Sequence, residues 1–358
     1  MKTLVMKKCL GEILSGFFIF IEASVCVSII SAQERLIRPA GFFPGEKPLN
    51  DIAFSSNGRL FASASIHDTS IMLYDVKSLP PVEEISEAGN SGFIYWLRKL
   101  NGYKGQSFAF SPDGKLIASG GDKTINVWDV QSGQLIMHKE AHQGLGAIHV
   151  AFRPDGKLLA STGWDNWIQL WDTRTWNKLG TLPGHYPGGG MGLNQIAFSP
   201  DGATLAIYAQ QTIKLIDLMT GQELHVLTDS THAVRKVLFN SDGSLIISAG
   251  FTIKIWNTQT GQLVKTLDGH PNGVFYIAFR YDDKILASIG KENIIKFWDM
   301  QSGQILYSHH VTRDGACRNL AFSPNGLLLA NSRNGGYWGG VDLWDISRII
   351  PSAKNPSK

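Results

Sequence analysis

The sequence predicts an all-β chain built from seven copies of a four-stranded unit. Three observations carry that expectation: a recurring strand that ends in Phe, a tight-turn signal after it, and a recurring Trp-Asp pair about twenty residues further on. The strands are Asp51-Ile-Ala-Phe54, Ser107-Phe-Ala-Phe110, His149-Val-Ala-Phe152, Gln195-Ile-Ala-Phe198, Lys236-Val-Leu-Phe239, Tyr276-Ile-Ala-Phe279 and Asn319-Leu-Ala-Phe322. The Phe-to-Phe intervals are 56, 42, 46, 41, 40 and 43 residues. All but the first fall near a repeat of about 40–45 residues.

Each element follows from local chemistry. Turns such as Pro112-Asp113-Gly114, Pro154-Asp155-Gly156 and Pro324-Asn325-Gly326 follow the first strand. Asp-Gly and Asn-Gly supply the positive φ angles of a tight hairpin, so a second strand must run back beside the first. Only the sixth unit departs, with Asp282-Asp283-Lys284. The third strand ends in Trp128-Asp129, Trp171-Asp172, Ile216-Asp217, Trp256-Asn257, Trp298-Asp299 or Trp344-Asp345, with Tyr74-Asp75 in the first unit. Turns such as Gln301-Ser302-Gly303-Gln304 lead into a fourth strand. One such unit has two apolar faces and buries neither alone, so the units must stack on one another.

These residues resemble the WD40 family, in an exported bacterial form, over nearly the whole chain after residue 33. The resemblance implies a seven-bladed β-propeller, with strands a to d running outward in each blade. It also implies closure of the last blade by an N-terminal strand. Glu34-Arg35-Leu36-Ile37-Arg38 precedes the first unit with no blade of its own, and Leu36 with its neighbours takes that role. The domain division is then residues 1–32 as signal peptide or membrane anchor, 33–350 as propeller and 351–358 as a polar tail.

The N-terminal segment carries its own signal. Lys2, Lys7 and Lys8 precede the apolar run from Ile13 to Ile30, the order of a secretory signal or an anchor. Glu12 and Glu22 interrupt it. A carboxylate near the centre of a spanning helix costs about 2.5–3.5 kcal/mol, which favours a cleaved signal. The expectation is an exported protein, periplasmic or extracellular, touching a membrane only through that segment.

Composition narrows the function. A net charge of +3 argues against a dedicated nucleic-acid binder. The three cysteines, two of them in the N-terminal segment, build no disulfide framework or thiolate metal site. No G-x-S-x-G, H-E-x-x-H or C-x-x-C-H motif occurs, and Gly188-Gly-Gly190 lacks the Lys-Ser/Thr of a phosphate loop. No catalytic residue, metal site or cofactor is expected. His142, Asp165 and Trp171, and likewise His270, Glu292 and Trp298, resemble parts of the buried Asp-His-Ser-Trp network of WD40 blades, incomplete here. The fourth unit keeps His185 but has Ile216 for Trp.

The resemblance also implies that the d–a and b–c loops share one rim, the top. Three long departures from the repeat are expected there. They are Glu83 to Gly105 (with Phe93, Tyr95 and Trp96), His185 to Gly192, and Arg333 to Gly340. Loops on a rigid scaffold are where binding residues concentrate. In WD40 proteins the residue four before the a-strand aromatic often lines the top rim. Here those residues are Asn50, Gln106, Ile148, Asn194, Arg235, Phe275 and Arg318. Trp164, Arg333 and Trp338 join them on b–c loops. The expected function is non-catalytic capture of a protein or peptide partner. The alternatives are a propeller hydrolase or oxidoreductase, or a small-ligand or glycan receptor using the rim aromatics.

Overall fold

The computed structural model describes residues 38–347 except 46–48, 50, 66–68, 77–96, 103–106, 144–148, 185–194, 210, 229–233, 312–315 and 336–337. The N-terminal apolar segment and the polar tail lie outside the described residues. The chain forms seven antiparallel four-stranded sheets, with no α-helix among the described residues. Blades 1 to 6 occupy residues 51–101, 107–140, 149–183, 195–228, 236–267 and 274–310. Blade 7 combines residues 316–345 with the first strand of the chain.

That first strand, Arg38–Gly45, runs antiparallel to Trp338–Asp345, with Arg38 opposite Asp345 and Gly45 opposite Gly339. The ring is therefore closed by the N-terminal strand. Its pairing starts at Arg38, whereas Leu36 lies outside the described residues.

Seven apolar clusters hold the ring together, one at each joint between neighbouring blades. Trp128 of blade 2 packs among Ala62, Ile71 and Leu73 of blade 1, and Trp298 of blade 6 among Ile247 and Ile255 of blade 5. Trp171 meets Val127 and Met137 in the same way, and Trp256 meets Tyr208 and Leu215. Where Trp is missing, Ile216 packs on Ile168, and Tyr74 packs on Val341 and Leu343 across the closing joint. The periodic aromatics are core. In blades 2 to 6 a register shift falls just before this residue, for example between Val127 and Trp128. A bulge there adds twist, which suits a fan of blades.

The turns obey the sequence logic. Asp113 Oδ1 accepts from the Ser111 hydroxyl at 2.6 Å and the Lys115 N–H at 3.0 Å, locking the a–b reversal of blade 2. The aberrant sixth turn still forms, because Asp283 takes the left-handed position at φ 55° that Gly fills elsewhere. Its N–H donates to the Arg280 carbonyl at 3.0 Å.

Candidate interaction site at the upper rim and channel mouth

Strand register decides which loops share an end. His149, first in its a strand, lies opposite Thr162, last in its b strand, and Gln195 and Lys236 lie opposite Tyr208 and Ala249. The d–a and b–c connections therefore meet at one end of the ring, the upper rim. The a–b and c–d turns meet at the other.

Two of the expected rim residues come together. The Arg235 guanidinium lies over the Phe275 ring, 4.8 Å from its centroid, bridging blades 5 and 6. Arg235 is exposed, and its N–H donates to the Ala249 carbonyl at 2.8 Å, so the strand end beneath it is fixed. Phe275 is half-buried and packs against the cluster between blades 6 and 7. Beside them the b–c loop of blade 5 presents Phe251, 39% exposed, which the sequence reading missed. This loop is tied to blade 6 by the Val274 N–H donating to the Gly250 carbonyl at 2.8 Å. The short sequence Gly250-Phe251-Thr252 between two strands was the signal that could have found it.

The other expected residues are more scattered. Trp164 stands on the b–c loop of blade 3, 37% exposed. Arg333 is half-buried near the end of Leu328–Gly335, and Trp338 begins the strand facing it. Arg318 belongs to the strand Ala316–Phe322. Asn50, Gln106, Ile148 and Asn194 lie outside the described residues, as does the His185 to Gly192 insertion.

Two of the expected insertions are corrected. The fourth strand of blade 1 is Arg98–Asn101, with Arg98 opposite Leu73 and Asn101 opposite Ser70. Residues 98–101 of the stretch from Glu83 to Gly105 are thus strand and not part of a d–a passage, and residues 83–96 and 103–105 lie outside the described residues. In blade 7, Arg333 to Gly340 is not an enlarged loop. Ladder pairing continues to Gly335 opposite Trp338, so the backbone polar groups are satisfied by a longer hairpin.

Inside the rim lies a group of side chains the sequence reading did not single out. The first residues of the a strands quoted above are Asp51, Ser107, His149, Gln195, Lys236 and Tyr276, with Asn319 leading the seventh Phe-ending segment. All seven are polar, one per blade, around the channel that the innermost strands enclose. Each innermost strand touches the next, and the last touches the first. The polar first position recurs in all seven of those strand sequences.

Asp51 works as a clasp. Its carboxylate accepts from the Asn319 amide at 2.8 Å, the Phe108 N–H at 3.1 Å and the Ile52 N–H at 3.0 Å, joining blades 7, 1 and 2. Burial pushes its carboxyl up to about 6, although the Lys236 charge and these donors pull the other way. Across the channel, Lys236 Nζ lies 4.7 Å from the Tyr276 ring centroid. The Tyr208 hydroxyl donates to Gln195 Oε1 at 2.6 Å. Burial, with the Lys236 charge, pushes the His149 imidazole down to about 4, and its Nε2 has no hydrogen-bond partner.

Family comparison agrees with this architecture. The WD domain, G-beta repeat model matches residues 38–75, 96–129, 133–172, 176–217, 221–257 and 261–299. The chain belongs to the WD40 family. It is similar to the guanine nucleotide-binding protein subunit beta of Oryza sativa subsp. indica, 27% identical over 214 residues, covering 55% of this chain and 53% of that protein. It is also similar to protein tipD of Dictyostelium discoideum, 27% identical over 241 residues, covering 63% of this chain and 30% of that protein. The chain thus spans about half the length of the first relative and less of the second.

The internal networks of the WD40 blades are more complete than the sequence suggested. In blade 3, His142 Nδ1 meets Asp165 Oδ1 at 2.9 Å and His142 Nε2 meets Ser161 Oγ at 2.9 Å, while Trp171 Nε1 donates to Ser161 Oγ at 3.0 Å. Blade 6 repeats this with Glu292 against His270, Ser288 Oγ 2.6 Å from His270 Nε2, and Trp298 Nε1 donating to Ser288 at 2.7 Å. The missing members were Ser161 and Ser288, each an ordinary second-strand serine in sequence. Burial lowers both imidazoles despite their carboxylates. In blade 7, Asn331 takes the serine position and accepts from Trp344 Nε1. These groups span strands within a blade and hold it rigid.

Proposed function

We propose that this chain is a non-catalytic binding module that captures a protein or peptide partner on its upper rim. The Arg235–Phe275 stack carries the reading, with Phe251 beside it. Arginine and aromatic anchors are what protein interfaces favour at their centres. Here they stand on strand ends fixed by backbone bonds, so little ordering cost accompanies binding. A relative whose name marks it as a subunit of a larger protein supports the same direction. We further propose that the chain is exported, on the basic-then-apolar order of its first thirty residues.

The test is affinity capture with the full propeller as bait. Wild-type protein is compared with the Arg235→Ala/Phe275→Ala double variant. Loss of a specific partner from the variant, with the fold intact, is the expected result. A partner held equally by both moves the site off this rim.

A further inference from the structure

We infer that the upper mouth of the channel is a receptor for one carboxylate group, held by Lys236 and His149. This deepens the rim reading above and rests on it, because the carboxylate would be brought by the captured partner.

The channel holds one fixed cation, Lys236, and one carboxylate, Asp51; each feels the other's charge, but they do not meet as an ion pair. Both oxygens of Asp51 are already engaged by donors from blades 7, 1 and 2. Among the described residues, Lys236 makes no ion pair with a carboxylate within 4.0 Å. Its ammonium lies against the Tyr276 ring and shares a side-chain hydrogen bond with that residue, which leaves donors over.

Two blades round the ring, the buried Nε2 of His149 is unpartnered. Between them, Tyr208 and Gln195 of blade 4 are satisfied by one another. A buried polar atom is rarely left as His149 Nε2 is, and it asks for a partner.

A lysine ammonium has only donors, and the neutral imidazole of His149 donates through Nε2 when the proton sits there, so a group that accepts without donating matches both. Burial and Lys236 keep His149 neutral at pH 7. A single positive charge beside the Asp51 carboxylate suits a monoanion better than a phosphate dianion. Arg235 and Phe275 each directly precede a channel residue, Lys236 and Tyr276, so one ligand would meet the rim stack and the channel together.

The experiment follows histidine ring signals by NMR on the full propeller, with His149→Gln identifying the His149 signal. Acetate is the probe, acetamide its neutral isostere, and inorganic phosphate the competing anion. N-acetylglycine mimics a chain end, and N-acetylaspartate methylamide mimics an acidic side chain; the tighter of the two names the source. Acetate should shift the His149 signal saturably and acetamide should not. Lys236→Met should weaken acetate at least tenfold while the His142 and His270 signals stay in place. No saturable shift, equal titration of Lys236→Met, or tighter binding of phosphate overturns the site. Should Lys236→Met unfold, magnetisation transfer from the acetate methyl to the Tyr276 ring decides on wild-type protein, and its absence refutes the inference. Capture of a partner without acetate binding rejects this site alone, whereas acetate binding without capture rejects the rim reading.

Discussion

Arg235 and Phe275 stack across a blade joint at 4.8 Å, and one residue further along the same two strands Lys236 and Tyr276 repeat the arrangement at 4.7 Å. One pair faces the rim and the other the channel. The first is offered to a partner, while the second fixes a charge inside the ring.

The rim pair gives the first prediction. Arg235→Ala or Phe275→Ala should each weaken partner binding by at least about 2 kcal/mol, the usual hot-spot threshold. Thermal stability should barely move for exposed Arg235, since surface changes usually stay within about 0.5 kcal/mol, and should fall modestly for half-buried Phe275, which packs on the cluster between blades 6 and 7. The control is Trp298→Ala, which empties a joint and should cost roughly 3–5 kcal/mol of stability. Calorimetric titration and thermal melts on the same samples separate the two classes.

Ring closure gives the second. Removing residues 38–45 leaves Trp338–Asp345 with an unpaired edge and takes away the fourth strand of blade 7. The melting temperature should fall sharply and broaden, and the exposed edge should promote association, read by light scattering. An unchanged melt would show that the strand closes nothing.

Equivalent serines in neighbouring blades give the third. Ser161 serves both His142 and Trp171, so Ser161→Ala strands one buried donor, Trp171 Nε1–H, and one buried acceptor, His142 Nε2, and should cost about 1–3 kcal/mol for each. Ser119 occupies the same place in blade 2, but its Oγ is buried without a partner. Ser119→Ala should be neutral or stabilising. Denaturant midpoints of the two variants should therefore move in opposite directions or by very different amounts.

The buried imidazoles set a pH dependence. His142, His149, His270 and His309 are all lowered chiefly by burial, His149 to about 4. The unfolded chain therefore takes up their protons first, and stability is lost as pH falls below about 6.5. Asp51, raised to about 6, acts in the opposite sense and regains part of that loss toward pH 4. Four groups outweigh one. Denaturation at pH 7, 6 and 5 should show falling stability, with a shallower fall in His149→Gln.

Export gives the last. The mature chain should begin between about residue 27 and residue 34, taking usual signal length as the guide. N-terminal sequencing of protein from the extracytoplasmic fraction checks it, and an intact Met1 on soluble cytosolic protein would refute export.

Much of the ring was legible because its rules are local. Phe at the end of each inner strand, Asp-Gly after it and Trp at the joint are each set within one repeat. Contacts between repeats were not legible. Nothing near Arg235 in the chain points to Phe275, and Ser161 looks like any strand serine until His142 and Trp171 arrive from either side. The misplaced insertion in blade 1 has a similar cause. Arg98–Asn101 is a short strand whose pairing with Ser70–Asp75 depends on a partner across the gap, and its polar sequence Arg-Lys-Leu-Asn reads as loop.

The position of the closing strand has a consequence in time. Arg38–Gly45 is among the first parts of the ring to leave the ribosome, and its partner Trp338–Asp345 is among the last. Blade 7 cannot exist until synthesis is nearly complete, which at about 5–20 residues per second takes tens of seconds. Its contacts are also the most distant in sequence, the slowest kind to form. Until then the joint between blades 7 and 1 stays open. Under the export reading proposed above, the ring would carry a latch that can shut only once the whole chain is present.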